Sequence, residues 1–168
     1  PSLVGSEMCI RDSLYGEGDE YTTINNYHGA TISANGSRAI NTKAANAAKG
    51  LEPSKYLTIN NWGTISAAYW TIELGEESTL NNYGNVLITV WNSISDDAII
   101  MLDDNNTVNL YDGTVISGDL NANSTSGSAL NLHLCSSYYF YLEDTWDVTD
   151  KSGCGELVNS GSYAQSVS

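Results

Sequence analysis

The sequence predicts an all-β chain coiled as a parallel β-helix, a β-solenoid, with an irregular cap toward its C-terminal end. Three observations lead there: a strand-and-turn phrase written four times, a near absence of helix signals, and short β segments punctuated by Gly, Asn and Asp. The phrase reads Thr23-Ile24-Asn25-Asn26-Tyr27-His28-Gly29, then Thr58-Ile59-Asn60-Asn61-Trp62-Gly63. It returns as Thr79-Leu80-Asn81-Asn82-Tyr83-Gly84 and, more loosely, as Thr107-Val108-Asn109-Leu110-Tyr111-Asp112-Gly113. Recurrence every 21 to 35 residues means one supersecondary unit stacked on copies of itself.

The opening stretch, residues 1–13, shares nothing with this pattern. Leu3 to Asp12 back-translates into a string that resembles a transposase-based sequencing adapter read through in frame. Residues 1–13 are therefore expected to be an adapter-derived artefact and stand outside the fold. With Cys9 set aside, and with Gly161 to Ser168 ending without an evident stop, the chain reads as an internal fragment of a longer protein.

From Leu14 to Leu134 the repeat organises the chain. Leu57-Thr58-Ile59-Asn60 alternates apolar and polar, as a half-buried strand does, and Asn61-Trp62-Gly63 reads as a turn because Asn and Gly tolerate left-handed angles. Thr64-Ile65-Ser66-Ala67 and Trp70 to Gly75 are the next strands, before Ser78-Thr79-Leu80-Asn81 restarts the phrase. The following round has strands at Asn85 to Val90, Ala98 to Leu102, Thr107 to Leu110 and Thr114 to Gly118. Only Lys43 to Gly50 has helix-like composition, enough for a turn or two on a loop. A β-sandwich also has short regular strands, but its strands do not normally repeat one another's sequence.

In a coil, Ile24, Ile59, Leu80 and Val108 stack inside, each contributing about 1.5–3 kcal/mol on burial. The asparagines beside them are expected to share amide hydrogen bonds along a ladder. About five coils at ~4.8 Å per rung make a rod segment ~24 Å long, with a raw sheet edge at each end. From Cys135 to Ser168 the repeat breaks, through the aromatic run Tyr138 to Leu142, Trp146 and the region of Cys154. Breaking the repeat is what a cap over the last hydrophobic rung requires.

Acidic residues outnumber basic ones 20 to 6, for a net charge of −14. Binding of nucleic acid through a basic patch is excluded on that ground, as is electrostatic attachment to anionic lipid. No run of eighteen apolar residues offers a membrane-spanning helix.

Asn61-Trp62-Gly63-Thr64-Ile65-Ser66-Ala67 and Tyr111 to Leu120 resemble passenger domains of bacterial autotransporters, and the resemblance covers roughly Tyr21 to Ser168. It implies a right-handed β-helix carried outside a Gram-negative cell by an outer-membrane barrel downstream in the parent chain. It further implies a stalk with structural or adhesive work and no catalysis, with glycans or surface proteins as partners. The cap would then be the stable core from which folding starts during export. No cofactor and no metal is implied.

Candidate functional residues follow from the same repeat. Tyr27, Trp62, Tyr83 and Tyr111 occupy one place in each phrase and should form an aromatic stripe. Such a stripe is either a structural stack, about 0.5–1.5 kcal/mol per pair, or a platform for sugar rings. Cys135 and Cys154 are candidates for a disulfide worth about 3 kcal/mol. Asp96-Asp97, Asp103-Asp104, Asp112 and Asp119 raise the alternative of a polysaccharide-degrading lyase or depolymerase, which needs paired carboxylates. That alternative lacks a nearby cation in sequence, since Lys151 is the only Lys or Arg after Lys55. Asp103-Asp104-Asn105-Asn106 begins like a calcium loop but lacks its Gly and closing Glu, so a solvated acidic turn is expected. His28 and His133 have no Ser or Cys partner in a recognisable motif, and the alternation turns His133 away from the core.

Overall fold

The computed structural model describes residues 2–5, 14–15, 21–36, 38–41, 55–89, 97–101, 103–123, 126–135, 138–143, 146–154, 157–159 and 165–167. Lys43 to Gly50 and Asp96 lie outside them. Among the described residues every regular element is a strand.

Three parallel sheets carry the repeat. The first holds β1 (Ser2–Gly5), β3 (Thr23–Asn26), β6 (Thr58–Asn61), β9 (Thr79–Asn82), β12 (Thr107–Tyr111), β15 (Ala129–His133) and β18 (Asp147–Asp150), in that order. The second holds β4 (Thr31–Ser33), β7 (Thr64–Ala67), β10 (Asn85–Ile88) and β13 (Val115–Ser117). The third holds β2 (Leu14–Tyr15), β5 (Ile40–Asn41), β8 (Ile72–Leu74), β11 (Asp97–Met101), β14 (Asp119–Asn121) and β17 (Leu142–Glu143). From β3 to β15 the chain visits first, second and third sheet in strict rotation, which is the path of a parallel β-solenoid. At ~4.8 Å per rung the seven strands of the first sheet span about 29 Å, somewhat more than the phrase alone predicts.

Register follows the phrase residue for residue. Thr23, Thr58, Thr79 and Thr107 are successive partners, as are Ile24, Ile59, Leu80 and Val108. The apolar column is buried, with Ile59, Leu80 and Val108 fully enclosed, and it continues through Leu130 to Val148. Ile32, Ile65 and Val86 line the second sheet in the same way, and Ile40, Ile72, Ile99 and Leu120 the third. Side-chain alternation along a strand sends these residues inward and their neighbours out.

A second column sits at the corner entering the first sheet. Tyr21, Tyr56, Glu77, Asn105 and Gly127 each stand two residues before the strand, and each has positive φ, from 53° to 70°. The corner takes a left-handed residue on each of the five rungs from β3 to β15, and four of the five are not glycine. Sequence gives no hint of this, because the residue types differ. The glycines of the phrase answer to another constraint. Gly63 and Gly84 lie outside the positive-φ region, yet a Cβ on Gly63 would come 2.2 Å from the Ala30 carbonyl oxygen. One on Gly84 would come 2.2 Å from the Gly63 oxygen. Close approach of stacked backbones, and not left-handed geometry, requires them.

The coil runs on past Leu134. β17 pairs with β14 and β18 with β15, because Leu142 and Val148 keep inward apolar places after the phrase itself is lost. The rotation is broken between β15 and β17: where a strand of the second sheet is due, β16 (Tyr138–Phe140) instead joins β20 (Gln165–Val167) and β19 (Leu157–Asn159) in an antiparallel sheet. At the other end β1 lies beside β3, with Val4 and Gly5 in register with Asn25 and Asn26. An open parallel edge accepts any extended backbone.

Candidate functional site

The outer surface of the first sheet carries the candidate site. In the first three phrases the second asparagine points inward, and in the fourth Leu110 does, so the aromatic that follows points out. With no slip in register, the rings fall in line.

Tyr27 and Trp62 have parallel rings 6.0 Å apart, Trp62 and Tyr83 5.3 Å, and Tyr83 and Tyr111 4.0 Å. A fifth ring, His133, continues the stack 4.4 Å beyond Tyr111. His133 is the register partner of Tyr111, and Leu130-Asn131-Leu132-His133 matches Val108-Asn109-Leu110-Tyr111 with His in the aromatic's place, the signal that could have marked it as a ladder member. Interplanar angles stay between 8° and 12°. Tyr27 and Trp62 are 40% and 38% exposed, while Tyr83, Tyr111 and His133 are half-buried. The faces of Trp62, Tyr83 and Tyr111 are therefore turned to neighbouring rings and their edges to solvent. Partial burial, and then a hydrogen bond shared with Tyr83, pushes the Tyr111 phenol above its ordinary value of 10.0. A separate pair, Tyr21 and Tyr56, stacks at 4.7 Å on the left-handed corner.

Two asparagine ladders flank the stack. The inner one is buried: Asn26 Nδ2 donates to Asn61 Oδ1 at 2.7 Å, and Asn61 Nδ2 donates to Asn82 Oδ1 at 2.6 Å. The second N–H of each reaches a backbone carbonyl, of Thr64 and Asn85 respectively. Asn82 ends the series by donating to Thr114 Oγ1, since Leu110 takes the next inward place. The outer ladder is longer. Asn60, Asn81, Asn109 and Asn131 each donate to the Oδ1 of the asparagine one rung earlier, beginning at Asn25, over 2.8–2.9 Å. The inner amides thus donate toward the C-terminal end and the outer ones toward the N-terminal end.

Cys135 and Cys154 are joined in a disulfide, their Cα atoms 5.2 Å apart. It ties the exposed turn after β18 to the turn after β15. Asp112 Oδ1 accepts from the Cys135 backbone N–H at 2.9 Å, which binds the same turn to the rung before.

The acidic residues are distributed among different places. Asp104 Oδ1 accepts the Ser126 N–H at 2.8 Å, and this bond holds the exposed carboxyl below its ordinary 3.8. Asn106 is buried, donating to the Asp103 carbonyl and accepting from Ser78 N–H, so it closes a corner. Asp97 and Asp119 do come together: a bulge between Asp97 and Ile99 sets them opposite one another on β11 and β14. Asp97 is buried and Asp119 half-buried. The fold also places a cation closer to this sheet than sequence suggests. Arg38 Nε meets Glu73 Oε1 of β8 at 2.6 Å, with its guanidinium 4.7 Å above the Trp70 ring. Lys55 pairs with Glu76. His28 is exposed on its turn. Among the described residues, no three or more His, Cys, Asp or Glu side chains gather as a metal site.

No protein-family model, no curated protein and no solved structure matches the chain.

Proposed function

We propose that this chain is an extracellular stalk segment of an autotransporter-type surface protein, with a structural and adhesive role and no catalysis. One observation carries the proposal: the outward columns of the first sheet bond to their own copies on the next rung. Asparagine amides and aromatic faces are engaged along the rod axis, which is how a side-chain set serves stiffness. The strongly acidic composition and the disulfide suit an oxidising, exposed setting. Adhesive contact with glycans or surface proteins would fall to the ring edges and the turns, and the exporting barrel would lie downstream in the parent chain. Sequencing outward from both ends of the parent DNA tests the secretion reading: a membrane β-barrel after Ser168 supports it, whereas a catalytic or tail-fibre domain there sinks it. Glycan adhesion has its own test. Replacing Trp62 and Tyr83 together by Ala should abolish retention on a glycan array, and unchanged retention removes the ladder as a ligand site.

The alternative, a β-helix enzyme acting on acidic polysaccharide, draws on the facing pair Asp97 and Asp119 with Arg38 near the same sheet. Turnover of uronate polymers that disappears in both Asp97→Asn and Asp119→Asn would favour it over the stalk.

A further inference from the structure

Tyr83 follows β9 and Tyr111 ends β12, and these strands are neighbours with Asn82 opposite Leu110. Residue 111 therefore stands directly over residue 83. Their ring centroids are 4.0 Å apart, the shortest spacing in the ladder, and the planes are within 12° of parallel. Both side chains leave equivalent places on adjacent parallel strands, so the two rings project from the coil in the same direction. With centroids 4.0 Å apart and planes nearly parallel, rings that project the same way bring the carbons ortho to their hydroxyls within reach of one another. Both side chains are half-buried, open at the edge to a small oxidant yet held in place by Trp62 below and His133 above.

We infer that Tyr83 and Tyr111 form an oxidative cross-linking site, joined as dityrosine by a haem-peroxidase-type oxidant using hydrogen peroxide. Each phenol loses one electron and its hydroxyl proton to give a phenoxyl radical. The two radicals pair at their ortho carbons, forming one C–C bond. The two ortho hydrogens then return to the oxygens as the rings regain aromaticity. Two hydrogens leave in all, and one hydrogen peroxide is reduced to two waters. Prior alignment is what makes the step selective, because two rings held in contact couple at a far higher effective concentration than rings that must meet by diffusion. The product staples two successive rungs covalently on the outside of the coil. The inference rests on the ladder geometry and stands whether or not the chain is exported.

The chain has eleven tyrosines, so the position of the link is informative. The test treats the full 168-residue chain, dilute and folded, with hydrogen peroxide and a haem peroxidase. Digestion at acidic residues follows, since Asp96, Asp97, Asp103 and Asp104 separate the two tyrosines in sequence. The expected product is a monomer lighter by two hydrogens, with dityrosine fluorescence and a linked peptide pair carrying residues 83 and 111. Tyr83→Phe and Tyr111→Phe keep the ring stack and should each lose that peptide pair completely. Tyr27→Phe should retain it, and oxidation in concentrated urea should not yield it. A monomer without dityrosine would overturn the inference. So would links mapped only to Tyr21–Tyr56 or between chains, or an unchanged yield in Tyr83→Phe.

Discussion

Asn61 donates to Asn82 across 2.6 Å in the fully buried interior of the first sheet, while its own oxygen accepts from Asn26. It is the middle of a chain of amides with no access to water. Asn61→Ala leaves the Asn82 oxygen and an Asn26 N–H without those partners, and each orphaned buried group costs about 1–3 kcal/mol. Asn60→Ala removes the equivalent links from the outer ladder, where solvent can replace them, and should cost about 1 kcal/mol or less. Urea denaturation of the two variants measures the gap, and equal losses would contradict the inner-versus-outer distinction.

Gly63 and Gly29 should respond to alanine in different ways. The new Cβ at residue 63 meets the Ala30 and Tyr27 carbonyl oxygens at 2.2 and 2.6 Å, so the stacked backbones must part. A loss of more than about 4 kcal/mol, or failure to fold, is expected there. At Gly29, φ is +81° with open space around the Cβ position, and a loss of about 1–2 kcal/mol follows from the left-handed angle alone. Thermal unfolding of the pair decides it.

Reducing Cys135–Cys154, or replacing both by Ser, should lower stability by about 3 kcal/mol through the loop of the unfolded chain it closes, given a separation of 19 residues. Both cysteines are exposed, so mild reductant should reach the bond without unfolding the coil. Denaturation with and without reductant, followed by thiol counting, provides the check.

Acid should weaken the fold through two carboxyls. Asp150 is held below 3.8 chiefly by the Ser152 hydroxyl and then by the Ser152 N–H, and Asp104 by Ser126. Where a carboxyl is more acidic folded than unfolded, its contribution is complete above the unfolded value. It is lost as pH falls from about 3.8 through the lower folded values. Asp104→Asn and Asp150→Asn should therefore flatten the acid limb of the stability curve and leave its neutral plateau sloping no differently. Thermal midpoints between pH 2 and pH 6, about two units either side of the ordinary carboxylate range, report this.

Much of this architecture was legible in the chain. A phrase repeated with Thr, an aliphatic residue and Asn at fixed places can stack only in one register, because one slip would turn every Ile outward. That determined the parallel coil, the buried column of Ile24, Ile59, Leu80 and Val108, and the alignment of Tyr27, Trp62, Tyr83 and Tyr111. Contacts between rungs, 21 to 35 residues apart in the chain, were decided by tertiary structure. Only stacking joins the inner asparagines to one another and the outer ones to one another, and makes Gly63 necessary through the backbone beside it. The bulge that sets Asp97 against Asp119, and the reach of Arg38 to Glu73, likewise depend on where one coil lies on the next. A repeat specifies the rung because local alternation and burial act within one strand. The neighbours of that rung, and hence its chemistry, exist only once the rungs are stacked.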